Sequence, residues 1–175
     1  MNIFYAKTIL YSYGVLEDIM EQIDELVEKK ALSSMTDVSD AYSQCQKILD
    51  YTAQKDVLIN IKIKVDKIFS KFSPEELIYL DYKYFKKNPK SLYTGYDFTC
   101  RTYFRKQIKL ASIFASKLEK VGITDEYFEK NCLCVDFFKE LLKRVKEKEK
   151  LSRKNKPVAE KLALKLQQDR LSLYA

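Results

Sequence analysis

The segment SPEELIYLDYKYF, residues 73–85, contains the clearest helix start in the chain. Ser73 can cap a helix, Pro74 suits the first helical position, and Glu76 can return a hydrogen bond to the cap residue. The helix that follows should end before Pro89, because a residue that precedes proline avoids the α conformation. The segment therefore predicts a well-bounded helix with a break after it.

The rest of the chain has the same helical character. Its 175 residues include only 3 Gly and 3 Pro, while 33% are charged and 46% are hydrophobic. Glycine and proline punctuate strands and tight turns, so their scarcity favours an all-α fold. We predict three ranges: an N-terminal antiparallel helical hairpin over 1–71, a multi-helix region with a helix-turn-helix-like unit over 72–150, and a basic C-terminal helix or tail over 151–175.

Two long amphipathic patterns predict the hairpin. The first runs from about Phe4 to Lys29, and the second from about Asp40 to Lys71. A short polar loop between two such helices is typical of an antiparallel pair. For the second helix we predict a core stripe, with Ile59 and Ile63 as a further apolar line; the stripe consists of Cys45, Leu49, Ala53, Leu58, Ile61, Val65, Ile68 and Phe72.

Charge is distributed unevenly along the chain. The net formal charge is +7, yet residues 1–85 carry 10 basic and 14 acidic side chains. Residues 86–120 carry 9 basic and 2 acidic ones, and residues 143–175 carry 11 and 4. Such segregation indicates an anionic partner, since a surface that serves only solubility mixes both signs. The alternative is that the lysine-rich helices are simply solvated faces.

The order of elements between residues 72 and 120 is that of a helix-turn-helix. A capped helix is followed by a break and then by a basic helix, which we expect to start at Asp97 or Thr99 and to end near Gly122. We predict its core positions to be Tyr103, Phe104, Ile108, Ala111, Phe114, Ala115 and Leu118.

Two motifs in this stretch resemble region 4 of sigma-70-type RNA polymerase factors. FSPEELIYLDYKYF, residues 72–85, is similar to the opening of that region, and DFTCRTYFRKQ, residues 97–107, is similar to its recognition helix. The layout also resembles that of ArpU-like phage regulators of Gram-positive bacteria. The middle helix of the family is degenerate here, where residues 86–96 keep Gly95 but lack the usual alanine-containing core.

The resemblance implies a DNA-binding regulator of transcription, with duplex DNA and RNA polymerase as partners. An arginine can make a bidentate contact to guanine, and lysines suit phosphates. The nucleic-acid-binding residues that we predict are Thr99, Arg101, Thr102, Arg105, Lys106 and Lys109 on the basic helix, with Lys86, Lys87 and Lys90 beside the break. The alternative is that these cations only coat an exposed helix.

Tyrosine is abundant, at 13 residues. Aromatic rings among lysines can stack on single-stranded bases, but tyrosines at a helix junction more often pack against each other. We favour packing for the group around the break, which consists of Tyr79, Tyr82, Tyr84, Tyr93, Tyr96 and Tyr103.

Catalytic and metal-binding signatures are missing from the sequence. It has no His, no phosphate-binding glycine loop and no nucleophile elbow, so we predict a non-enzymatic protein without a cofactor. Its 4 cysteines form no C-x-x-C pair, which argues against structural zinc and favours reduced thiols. No apolar run suits a membrane span and the start does not resemble a signal peptide, so we expect a cytoplasmic location.

Two other functions remain open at this point. The chain could be a helical protein–protein interaction module whose helix-turn-helix no longer binds DNA, and a homodimer could form through the N-terminal hairpin. The third and weakest hypothesis is nonspecific binding of RNA or single strands through the two basic blocks.

Overall fold

The computed structural model describes residues 1–34, 41–86, 93–96, 98 and 101–150. Every regular element in these ranges is a helix, which confirms the all-α prediction. The helices are α1 (Ile3–Tyr13), α2 (Leu16–Ser34), α3 (Ala41–Phe69), α4 (Pro74–Leu80, continued by a π-helical turn, Asp81–Phe85), α5 (Arg101–Lys120), α6 (Asp125–Tyr127, continued by a π-helical turn, Phe128–Cys132) and α7 (136–150).

Local sequence signals set several helix ends. The Ser73 side chain accepts a hydrogen bond from the Glu76 backbone at 3.2 Å, and the Glu76 carboxylate accepts one from the Ser73 backbone at 2.9 Å. This is the predicted capping box at the start of α4. Gly122 follows α5 with a φ of +80°, a backbone conformation that favours glycine, as predicted for the end of that helix.

The predicted single helix from Phe4 to Lys29 is wrong, because a turn at Gly14 and Val15 divides it into two helices. A side chain at Gly14 would place its Cβ 2.7 Å from the carbonyl oxygen of Phe85. Glycine is therefore needed for the close backbone approach between the α1–α2 turn and the end of α4. As a result α1 packs against α5 and the π-helical turn after α4. Of the two halves of the predicted helix, α2 is the one that runs alongside α3.

The pairing of α2 with α3 is antiparallel. Residues further along α2 contact residues earlier in α3, with partner atoms 2.5–3.1 Å apart at Glu17–Lys62, Asp24–Lys55 and Ser33–Gln44. These pairs form the sides of a hairpin, in the range where the sequence predicted one.

The predicted core stripe is only half right along α3. Leu58, Ile61, Val65, Ile68 and Phe72 are buried as expected. The first half is wrong: Cys45, Leu49 and Ala53 are exposed, and so are Ile59 and Ile63, predicted as a further covered line. The side that faces α2 instead carries Gln44 and Lys55, with Ile48 and Tyr51 at helical spacing between them.

The described part of the chain divides into two regions that differ in the burial of their side chains. We call residues 24–34 and 41–57 the distal arm, in which Gln44, at 7% exposed, is the only described residue that is buried rather than half-buried or exposed. We call α1, residues 16–23 of α2, the part of α3 from residue 58 onward and α4–α7 the body. One continuous cluster of buried apolar side chains fills the body and includes Phe114, Phe128 and Phe138.

That cluster also bears on the predicted ranges. It draws residues from both sides of residue 71, so the division into 1–71 and 72–150 stays a prediction about folding units. The predicted basic tail, 151–175, lies outside the described residues. No helix in the described part of the chain combines the length and the apolar character that a bilayer crossing requires.

Candidate nucleic-acid interface

The orientation of α5 determines which of its side chains can meet a partner. Tyr103, Gln107 and Leu110 are buried against the body, whereas Phe104 and Ile108 are 51% and 67% exposed. The prediction that Phe104 and Ile108 are core residues is therefore wrong. The apolar pattern misled because the buried side of α5 is centred on a polar residue, Gln107.

Gln107 forms a buried polar network that fixes the rotation of α5. Its side-chain oxygen accepts a hydrogen bond from Lys83 Nζ at 2.7 Å, and its side-chain nitrogen donates to the Tyr103 hydroxyl at 3.1 Å. Burial, followed by the nearby Lys7 charge, lowers the pKa of Lys83. Because the oxygen and the nitrogen of this buried amide are both hydrogen-bonded, rotation of α5 would leave them without partners, so the helix holds one orientation.

Aromatic rings pack at the connection between α4 and α5. Tyr82 stacks on Phe98 with ring centroids 3.8 Å apart, and Tyr79 contacts Tyr96 and Tyr103 at 5.9 and 5.7 Å. The predicted ring packing around the break is thus confirmed for this group. Tyr84 differs: its ring lies 4.8 Å from that of Tyr11, on the α1 side of the body.

A buried carboxylate ties this connection to α4. Asp81 is 3% exposed and accepts a hydrogen bond from the Tyr93 hydroxyl. Burial and this bond raise the pKa of Tyr93 to about 12. Among the described residues of the connection, 93–96 and 98, no α-helix is formed. The described part of this connection thus packs its rings against α4 and α5.

Some predicted contact residues lie together on the exposed side of α5. Arg101, Thr102, Arg105 and Lys109 are all exposed, and the two arginines are one helical turn apart, as predicted. None of the described acidic side chains forms an ion pair with Arg101, Arg105 or Lys109. Lys86 is also exposed and ends the π-helical turn with a φ of +53°. Thr99, Lys87 and Lys90 lie outside the described residues.

Lys106 differs from the other cations of α5, because it is bound to α4. Its Nζ donates to the Glu75 carboxylate at 2.8 Å and to the Tyr79 hydroxyl at 3.3 Å, and it lies 4.8 Å from the centre of the Tyr79 ring. The hydrogen bond to Glu75 raises the pKa of Lys106. These contacts bridge a groove of about 430 Å³ between α4 and α5. Lys106 thus supports α5, and its predicted contact with nucleic acid stays a prediction.

Comparison with known proteins adds no relative to this geometry. No family model matches the chain, and neither a curated protein nor a solved structure matches it significantly.

Proposed function

We propose that this protein is a non-enzymatic regulator that binds duplex DNA through the exposed side of α5 and acts in the cytoplasm. The observation that carries the proposal is the set of exposed cations at the start of α5, Arg101, Arg105 and Lys109, none of which is neutralised by a described acidic residue. An unneutralised row of cations on one side of a helix suits a partner with regularly spaced negative charge.

The opposite side of α5 supports this proposal. Gln107, Tyr103 and the Lys106–Glu75 pair hold the helix to the body, so its outer face is presented in one orientation. A fixed helix enters the major groove at a smaller entropic cost than a mobile one. In this arrangement Arg101 and Arg105 reach base edges, while Lys109 and Lys86 contact phosphates.

The sequence resemblance to sigma-70 region 4 and to ArpU-like regulators extends the proposal to transcription. RNA polymerase is then a second partner. The ring cluster beside α4 takes the place of the family's middle helix, which is degenerate in this chain. Both statements remain proposals that rest on the residues 72–85 and 97–107.

A titration into labelled duplex DNA tests the proposal. We would follow the anisotropy of a random-sequence duplex about three helical turns long, from low to moderate salt. Because binding releases counterions from phosphates, the affinity should fall steeply with salt. Arg101→Glu/Arg105→Glu should abolish binding at moderate salt, while Lys86→Gln/Lys109→Gln, which removes the two phosphate contacts, should reduce the log–log salt slope by about 2.

A matched variant controls for net charge. Lys30→Glu/Lys47→Glu makes the same charge change on the distal arm and should bind almost as the wild type does. Equal losses in the two glutamate variants would mean that total charge, and not the α5 face, governs binding. No binding at low salt would refute the proposal.

One observation favours a second candidate function, a helical protein–protein interaction module. Phe104 and Ile108 are exposed one turn apart beside Arg105, and aromatic residues with arginines are enriched at the centres of protein interfaces. DNA binding that persists in Phe104→Ala/Ile108→Ala would favour the first function. Absence of DNA binding, with the α5 face protected from hydrogen exchange by a protein partner, would favour the second.

A further inference from the structure

The outward side of α3 carries a second heptad pattern that no other part of the described chain covers. Its positions alternate in steps of three and four residues, and all seven side chains are exposed: Tyr42, Cys45, Leu49, Thr52, Asp56, Ile59 and Ile63. We call these residues the α3 seam. A heptad pattern of this kind marks the surface on which a helix pairs with another helix.

The other two sides of α3 already have partners. One side meets α2 through Gln44, Lys55 and Lys62, and another meets the body, where Asn60 and Lys64 both contact Tyr127. The α3 seam lies on the remaining side and extends over about 33 Å of helix, at 1.5 Å per residue. Leu49 and Ile63 are 63% and 62% exposed there, and Tyr42 is 86% exposed.

We propose that the α3 seam binds a second copy of this chain, with the two α3 helices antiparallel around a two-fold axis near residue 54. The order of residues in the seam carries this proposal, because the seam is complementary to itself about that point. Thr52 and Asp56, Leu49 and Ile59, and Cys45 and Ile63 are three pairs that share one midpoint. A two-fold axis there places polar opposite polar and apolar opposite apolar.

The polar pair explains why an antiparallel arrangement is preferred. In a parallel pair Asp56 would meet the partner's Asp56, and like charges at a helix interface repel. In the antiparallel pair the Thr52 hydroxyl, which donates to its own helix at the Ile48 carbonyl at 2.9 Å, turns to the partner's Asp56 instead. The two-fold axis makes this hydrogen bond twice, so each Asp56 carboxylate gains a hydroxyl donor from the other copy.

The charges beside the seam also permit the close approach of two copies. On one flank lie Gln46, Ala53 and Asn60, which are uncharged. The lysines on the other flank, Lys55 and Lys62, are each within 3.1 Å of an acidic residue of α2, Asp24 and Glu17. Neither flank therefore carries an unpaired positive charge toward the partner.

The distal arm gives an independent reason to expect that a second copy covers the α3 seam. Among the described residues of the distal arm, the apolar side chains that face inward, such as Val27, Tyr51 and Val57, are only half-buried, and most helix stability in proteins comes from apolar burial. In the antiparallel dimer the distal arm of one copy lies beside the α3 of its partner, which supplies that burial.

The oligomeric state of the full chain tests the proposal, independently of DNA binding. Sedimentation velocity across the micromolar range should show a dimer for the wild type. Leu49→Glu/Ile63→Glu should weaken the dimer by at least a hundredfold while the helical circular dichroism is kept. Leu26→Glu, which adds one charge to an exposed leucine of α2, should leave it intact. A wild-type monomer throughout, or a dimer unaffected by Leu49→Glu/Ile63→Glu, would overturn the proposal.

Crosslinking tests the antiparallel arrangement. Ala53→Cys, in a background of Cys45→Ala, Cys100→Ser and Cys134→Ser, places one thiol of each copy beside the axis. A short bis-maleimide should link the two copies within minutes, whereas Asp50→Cys, on another side of α3, should not be linked. If Asp50→Cys is linked as efficiently as Ala53→Cys, or if Ala53→Cys is not linked in a sample that sediments as a dimer, the two-fold axis near residue 54 is wrong.

Discussion

The body and the distal arm are built from similar helices but differ in what those helices bury. In the body, side chains from all seven described helices meet in one cluster, and Phe114, Phe128 and Phe138 have no exposed surface. In the distal arm, Tyr42 and Leu49 face outward, and Gln44 is the described residue that is buried. Apolar side chains are thus covered in the body, whereas in the distal arm the heptad pattern of the α3 seam lies on the exposed side.

The difference separates two roles that one amphipathic pattern can have. In the body the pattern stabilises a fixed surface, of which the outer side of α5 is part. In the distal arm it leaves apolar residues available to another chain. Each of the following predictions tests whether the two regions differ in this way, starting with the largest effect.

Truncating a core ring should be the most damaging change. Phe114→Ala removes a fully buried ring and should lower the free energy of unfolding by about 3–5 kcal/mol. Leu49→Ala in the distal arm should change that of the monomer by less than about 0.5 kcal/mol. Urea denaturation followed by circular dichroism measures both. Similar losses for the two variants would show that the distal arm is covered in the monomer.

Two cysteines offer a chemical form of the same comparison. Cys132 is buried in the body, and burial raises the pKa of its thiol to about 12, while Cys45 is exposed on the distal arm. Iodoacetamide at pH 8 should therefore modify Cys45 at least about a hundredfold faster than Cys132 in the folded Leu49→Glu/Ile63→Glu variant, in which the α3 seam is not covered by a second copy. Mass spectrometry of timed samples, with a urea-unfolded control, measures the ratio. Equal rates would contradict the burial of Cys132.

The same thiol makes the stability of the body depend on pH. Its folded pKa of about 12 lies above its ordinary value of 9.0, so folding favours the protonated thiol. The resulting stabilisation is full below pH 9 and is lost as the pH rises toward 12. The free energy of unfolding should therefore fall less between pH 9 and pH 10.5 in Cys132→Ala than in the wild type.

Gly14 tests the contact between the α1–α2 turn and the end of α4. Its φ of −64° suits any residue, so in open space Gly14→Ala would stabilise the protein by about 0.4–1 kcal/mol. Because the new Cβ would lie 2.7 Å from the Phe85 carbonyl oxygen, we expect a loss of about 1–3 kcal/mol instead. The sign of the change in thermal unfolding distinguishes the two cases.

The smallest of these effects should come from the cap of α4. Ser73→Ala removes one side of the capping box and should cost about 1 kcal/mol. Ser70→Ala, which removes only a hydrogen bond to a carbonyl of its own helix, serves as the control and should be nearly neutral. Since α4 supports α5 through Glu75, the salt dependence of DNA binding should weaken slightly in Ser73→Ala and not in Ser70→Ala.

Sequence patterns predicted helix starts well because the cause of a start is local. Ser73, Pro74 and Glu76 need only each other to form a cap, and the glycine at 122 needs only its own backbone. The grouping of tyrosines near the α4–α5 connection was predictable for a similar reason, since the rings are close in sequence.

The errors arise where two apolar patterns compete on one helix. On α3 the pattern predicts that the more apolar line, through Cys45 and Leu49, is core, but the covered side carries Gln44 and Lys55. On α5 the buried side is centred on Gln107, so Phe104 was assigned to the wrong side. In both cases the deciding interactions are with residues far away in the chain, such as Asp24 and Lys83, which periodicity does not reveal. The break at Gly14 likewise depends on Phe85.

The ring cluster between α4 and α5 has an optical consequence. The chain contains 13 Tyr and no Trp, so its ultraviolet emission is that of tyrosine. Tyr82 and Tyr93 lie within this cluster, and the Tyr93 hydroxyl is bonded to the Asp81 carboxylate, a contact that quenches phenol fluorescence. Any ligand that displaces this connection should therefore increase the tyrosine fluorescence. The emission of the unlabelled chain can thus be used to follow binding at the start of α5.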